Sequence, residues 1–255
     1  MTKKVPYMTT EAIEQDAAAL LAEYALARGV VIVPPIPIED IIEKHLKLGI
    51  DFYDTHSLFG IARSGTEPDI LGAMFLDEER IVIDETLDPE EHPAMEGRYR
   101  FTLAHEGGGH WRLHRPYFNS YPGQAGLFAG PAPPSVICRS SQAKEPVEWQ
   151  ADFYASCLLM PRKMVFAAWD EMFPDRKPRV IGPGSPFSHP FIEVPLTKIE
   201  INGHDWSESI DEALDRVARP LAKKFLVSPI AMRIRLEKLG LLLREVPHQQ
   251  LLVGA

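Results

Sequence analysis

The sequence predicts a mixed α+β fold, on three observations. Apolar residues recur at helical spacing from Thr10 to Arg28, short β-rich runs cluster between Ile50 and Asp84, and the helical period returns from about Glu96. At 255 residues the chain can bury one substantial core with an appendage. Its hydrophobic fraction of 45% and charged fraction of 25% are ordinary globular values, so neither wholesale disorder nor a fibrous architecture is indicated.

The first helix has a Thr N-cap, acids in its first turn and Gly29 as its stop. Pro34-Pro35-Ile36-Pro37 breaks the chain, and Ile38 to Leu46 then reads as a short amphipathic helix ending before Gly49. Ile50–Tyr53, Ile70–Leu76 and Arg80–Asp84 read as strands of a small antiparallel sheet, the last two joined as a hairpin by Asp77-Glu78-Glu79. A helix is expected from Glu96 to His114, closed by Pro116. Residues 117–145, rich in Gly, Pro and Ser, read as a long loop or lid. Pro146 to Leu159 is a further helix, Pro174 to Pro195 a Pro-rich surface segment, and helices resume near Ser207 and run to about Leu242. The expected domains are a core over 1–170, the Pro-rich segment over 171–206 and a C-terminal helical segment over 207–255, packed on the core.

A net charge of −9 argues against nucleic-acid binding over the whole surface, since phosphate neutralisation needs a basic stripe. With only Cys138 and Cys157, the second inside an apolar run, no disulfide framework is expected. No apolar stretch follows the N-terminal lysines, and no run approaches the roughly 20 apolar residues of a membrane helix. The expected compartment is the cytoplasm.

The chemistry is concentrated in Ala104-His105-Glu106-Gly107-Gly108-Gly109-His110-Trp111. This comes close to the H-E-x-x-H signature, in which two imidazoles one turn apart hold zinc and the glutamate takes a proton from the metal's water. Here the second histidine is one residue late. On a regular helix a spacing of four leaves two side chains about 40° apart, whereas a spacing of five leaves them roughly 140° apart. Three consecutive glycines permit a π-bulge that would restore the register. They cost about 1 kcal/mol each in a helix interior relative to Ala, which zinc coordination is large enough to offset.

Downstream, Glu148 and Asp152 lie one turn apart at the start of a helix. Glu148 suits a third ligand, with Asp152 accepting the free N–H of a liganding histidine. Two imidazoles, one carboxylate and one open position are the coordination expected of catalytic zinc. A rival pair, His110 and His114, is four residues apart and would leave His105 off the stripe. With His105 and His110 as ligands, His114 becomes a packed or supporting residue.

Together, Arg100-Phe101-Thr102-Leu103-Ala104-His105-Glu106, Gly109-His110-Trp111 through Leu113-His114-Arg115, and Glu148 through Pro161 resemble the ImmA/IrrE family of bacterial metallopeptidases. With the N-terminal helix, the Pro-rich link and the hairpin, the resemblance spans roughly residues 10 to 170. It implies a zincin-like metallopeptidase fold, zinc held by His105, His110 and Glu148, and Glu106 as general base. It also implies a protein substrate, a repressor-type transcription regulator of the helix-turn-helix kind. The extra glycine departs from the family pattern. The dipeptidyl peptidase III family is similar in this one respect, so the departure does not by itself abolish activity.

Near the C-terminus, Leu221 to Leu236 resembles a helix-turn-helix, with Ser228 capping the second helix and Leu226 where the turn usually has glycine. Arg233, Arg235 and Lys238 are the residues that would meet phosphates. Two further functions follow from these features: a metal-sensing or DNA-binding regulator with an inactive zincin body, and a protein-binding module whose site the glycine insertion has broken.

Overall fold

The computed structural model describes residues 5–61, 69–118, 136–139, 145–181, 192–194, 198–201, 204–207 and 209–245. The architecture is mixed α+β, and the chain divides into two compact units. Met1–Pro161 with Phe225–Val227 forms the first, and Arg162–Lys224 with Ser228–Ala255 the second. The sequence boundary at 170 thus runs through a helix that belongs to the second unit.

In the first unit, helix α1 (Thr10–Arg28) starts where Thr9 accepts from the Ala12 N–H and stops at Gly29, whose φ of 64° few other residues adopt. It buries Ile13, Ala17, Leu20 and Leu21. The expected second helix is one turn of α-helix, α2 (Ile38–Asp40), running into a π-helical turn at Ile41–His45. Strand β1 (Gly49–Tyr53), helix α3 (Thr55–Phe59), β2 (Ile70–Phe75) and β3 (Arg80–Asp84) follow.

The sheet corrects the antiparallel expectation. Its order is β1-β3-β2-β4, with β2 antiparallel to β3 but β1 parallel to β3. The physical reason is that α3 and β2 intervene between β1 and β3, so no tight turn dictates their relative direction. The fourth strand, β4 (Val136–Arg139), pairs antiparallel with β2 inside what the composition marks as a loop; residues 119–135 and 140–144 lie outside the described residues. One face of β2 turns Ala73 and Phe75 toward Val82 and Phe59. The other brings Gly72 against Thr102 and Glu106.

Two short 3-10 turns lead into α4 (Glu96–Ala104), which continues as a π-helix over His105–His114 and then as α5 (Arg115–Phe118). Pro116, expected to end the helix, is followed by two further helical residues, Tyr117 and Phe118. Helix α6 (Pro146–Leu159) has the expected bounds and buries Cys157, which forms no disulfide. Asp16 of α1 ties these helices together: it accepts from Arg112 Nε at 3.2 Å and from the Tyr154 hydroxyl at 2.8 Å, while Arg112 grips Glu23 with two bonds.

The second unit opens with α7 (Arg162–Met172), which the sequence reading did not foresee. Strand β5 (Arg179–Ile181) pairs in parallel with β6 (Ile192–Val194) and with β9 (Leu242–Leu243). Strands β7 (Lys198–Ile201) and β8 (His204–Ser207) pair antiparallel. Helices α8 (Ile210–Phe225) and α9 (Pro229–Lys238) follow, with Ser228 accepting from the Ala231 N–H and Leu226 at a φ of 50° in the turn. Among the described residues, no helix is long and apolar enough to cross a membrane.

Candidate metal centre

The glycine triplet does not bulge out a single residue; it lies within ten residues of π-helix. In that ladder each N–H bonds to the carbonyl five residues back, so side chains five apart come round to the same face. His105 and His110 therefore share a face, which a regular helix denies them. The triplet also permits close packing. A Cβ on Gly109 would stand 2.5 Å from the Ala151 Cβ and 2.6 Å from its Cα, and one on Gly108 would stand 2.7 Å from the Tyr154 ring. Helix α6 thus lies directly on the backbone of the π segment, bringing Glu148 within reach of both rings.

The ligand atoms converge. His105 Nε2 lies 2.9 Å from His110 Nε2 and 3.3 Å from one Glu148 oxygen, and His110 Nε2 lies 3.7 Å from the other. Tetrahedral ligands at about 2.0–2.1 Å from one ion stand about 3.3 Å apart, so these separations bracket the spacing an ion requires. All three residues are buried, and together they could hold a metal ion. Glu148 sits in the first turn of α6, where the helix dipole favours a carboxylate.

The supporting contacts set the ring faces. His105 donates from Nδ1 to Asp152 at 2.8 Å, which turns its Nε2 lone pair toward the cluster. His110 contacts His114 through their Nδ1 atoms at 3.3 Å, and His114 Nε2 meets the Gln150 side-chain oxygen at 3.1 Å. His114 thus lies behind His110 and outside the converging trio.

Glu106 is fully buried, and neither of its oxygens has a hydrogen-bond partner among the described residues. Burial pushes its carboxyl up to about 8, with Glu148 and Asp152 adding to the rise and His105 opposing it. Burial also acts on Glu148, but the imidazoles of His105 and His110 beside it outweigh it and hold that carboxyl at about 2. Both His110 and His114 are driven down to about 4, chiefly by burial.

These histidines give the metal-free protein an acid limit. Their folded pKa values lie below the ordinary 6.5, so the unfolded chain takes up protons first as pH falls. Their contribution to stability is complete above about pH 6.5 and is lost toward pH 4. Urea unfolding of the metal-free chain should show its midpoint falling through that window. A midpoint flat between about pH 6.5 and pH 4 would contradict the assignment.

His105, His110 and Glu148 come together as expected, with Asp152 and His114 behind them. Gln150, given no role from sequence, completes the cluster; flanked by Glu148 and Asp152 at the polar start of α6, it carries no sequence signal of its burial, which leaves it 1% exposed. The basic C-terminal residues fare differently. Arg235 is buried, and Arg233 is paired with Asp211 at 2.9 Å and Asp215 at 2.8 Å, so of the three only Lys238 is exposed. No model of a known protein family matches the chain, and no curated protein is similar to it. On its geometry alone, the protein carries a buried group of two imidazoles and one carboxylate able to hold one metal ion.

Proposed function

We propose that the chain is a cytoplasmic zinc-dependent endopeptidase with a zincin-like body, acting on a protein substrate. One observation carries this: beside a trio of converging metal-binding groups stands Glu106, a buried carboxylate with no hydrogen-bond partner among the described residues. A structural metal site needs no such group. An unsatisfied buried acid is costly, and such groups gather where chemistry needs them.

His105, His110 and Glu148 would hold the ion and leave one coordination position open. A zinc ion there supplies Lewis acidity toward a carbonyl and lowers the pKa of water. In its ionised form, which the charge of a bound cation would favour, Glu106 accepts the proton of the attacking water on a carboxylate oxygen and passes it to the departing amine nitrogen. Asp152 holds the His105 ring in the ligating orientation. The burial of all four groups excludes bulk water, which strengthens each electrostatic contact.

The resemblance to ImmA/IrrE peptidases supports a repressor-type transcription regulator as the substrate. The burial of Arg235 and the ion pairs of Arg233 give no support to a DNA-reading surface on α9. Elemental analysis of the purified chain should find about one zinc per molecule. Removing it with a chelator should abolish cleavage of a repressor-type substrate, and readdition should restore it. A metal-depleted chain that cleaves at the full rate would end the proposal, and so would a chain that takes up no metal.

A further inference from the structure

We propose that Gln150 is a positioning residue that fixes the metal-binding tautomer of His110 through His114, and that the N-terminal segment at Pro6 holds Gln150 in the orientation this needs. The inference rests on the metal-site reading and adds to it how ligand readiness is set.

The direction of the chain follows from which atoms can donate. The carbonyl oxygen of Pro6 can only accept, and it lies 3.0 Å from Gln150 Nε2. The amide nitrogen of Gln150 therefore faces Pro6, and its Oε1 faces His114 Nε2 at 3.1 Å. An amide oxygen also only accepts, so His114 carries its hydrogen on Nε2. His114 is fully buried and bonded to an uncharged amide, which makes it a neutral imidazole with one N–H. Its Nδ1 then presents a lone pair, and the His110 Nδ1–H donates to it at 3.3 Å. That leaves the His110 Nε2 lone pair pointing at His105 and Glu148, as a metal ligand requires.

Reversing the amide reverses every step. Were Gln150 to donate to His114 Nε2, His114 would carry its hydrogen on Nδ1 and donate to His110 Nδ1. His110 would then aim an N–H at the cation. One amide orientation, set 144 positions away in sequence by a backbone carbonyl, decides whether His110 can ligate. On the other side of the site, Asp152 does the equivalent for His105 directly.

The test uses the full chain, nitrogen-15 NMR of the histidine rings without metal, and zinc affinity by competition with a chromophoric chelator. In the metal-free wild type His110 should appear as the Nδ1–H tautomer. Gln150→Leu should mix the tautomers and weaken zinc binding by about 10- to 100-fold. Gln150→Glu, whose carboxyl in its neutral form accepts from His114 and donates to Pro6 as the amide does, should stay within a few-fold of wild type at a pH that keeps it neutral. An Nε2–H tautomer in the wild type overturns the proposal. So does wild-type zinc affinity in Gln150→Leu, or a loss in Gln150→Glu as large as in Gln150→Leu. Should the wild type take up no zinc, the peptidase reading fails, and the tautomer of His110 alone still decides the role of Gln150.

Discussion

Glu106→Gln is expected to lower turnover of the protein substrate by about 10²- to 10⁴-fold, the range of a lost general base, while zinc content stays at the wild-type level. The same substitution should stabilise the metal-free protein. The folded pKa of Glu106 is raised to about 8 from an ordinary 4.5, so the unfolded chain gives up this proton first as pH rises. The contribution of Glu106 is therefore lost between about pH 4.5 and pH 8, opposing the rise from the two histidines below about pH 6.5, and an amide, which cannot ionise, escapes that loss. Urea unfolding of the two metal-free proteins should show Glu106→Gln ahead by a margin that widens from about pH 5 to about pH 8. Undiminished turnover would remove Glu106 from the chemistry. A margin that narrows with rising pH would mean that the acid is not held in its neutral form.

Gly109→Ala should have the largest structural effect of any single methyl group added to the site. The new Cβ would fall 2.6 Å from the Ala151 Cα, and backbone cannot step aside as a side-chain tip can. Helix α6 must move, at about 1–3 kcal/mol for overpacking of this kind. Glu148 moves with it, so zinc affinity should drop on the order of 100-fold. Gly107→Ala is a useful contrast, because its Cβ meets first the Cδ1 end of Ile42. Calorimetry and chelator competition on both variants check the ranking. Wild-type zinc affinity in Gly109→Ala would show that α6 does not rest on the π segment.

Local chemistry made much of this legible in the sequence. Helix α1 ends at Gly29 because a left-handed φ is wanted there, and α6 begins at Pro146 because proline suits a first turn. The spacing of His105 and His110 showed that a regular helix fails, and the glycines showed that it need not be regular. What stayed hidden depends on contacts distant in sequence. β4 is a strand because β2 offers it an edge, and no composition rule sees a partner some 66 positions away. The parallel pairing of β1 with β3 is likewise a tertiary choice. The role of Gln150 depends on His114 and Pro6, partners 36 and 144 positions away that its local sequence does not reveal. The π segment runs past the glycines to His114 because α6 packs along it, which propensity cannot foretell.

The grip of α1 on the metal-bearing helices has a practical side. Arg112 and Tyr154 both close on Asp16, and Arg112 also on Glu23. A fragment trimmed to start at the first strand would strand a guanidinium and a phenol at the back of the site and uncover Ile13's and Leu20's partners to water. Shortened expression versions must therefore begin upstream of Pro6, however dispensable the opening residues look on paper.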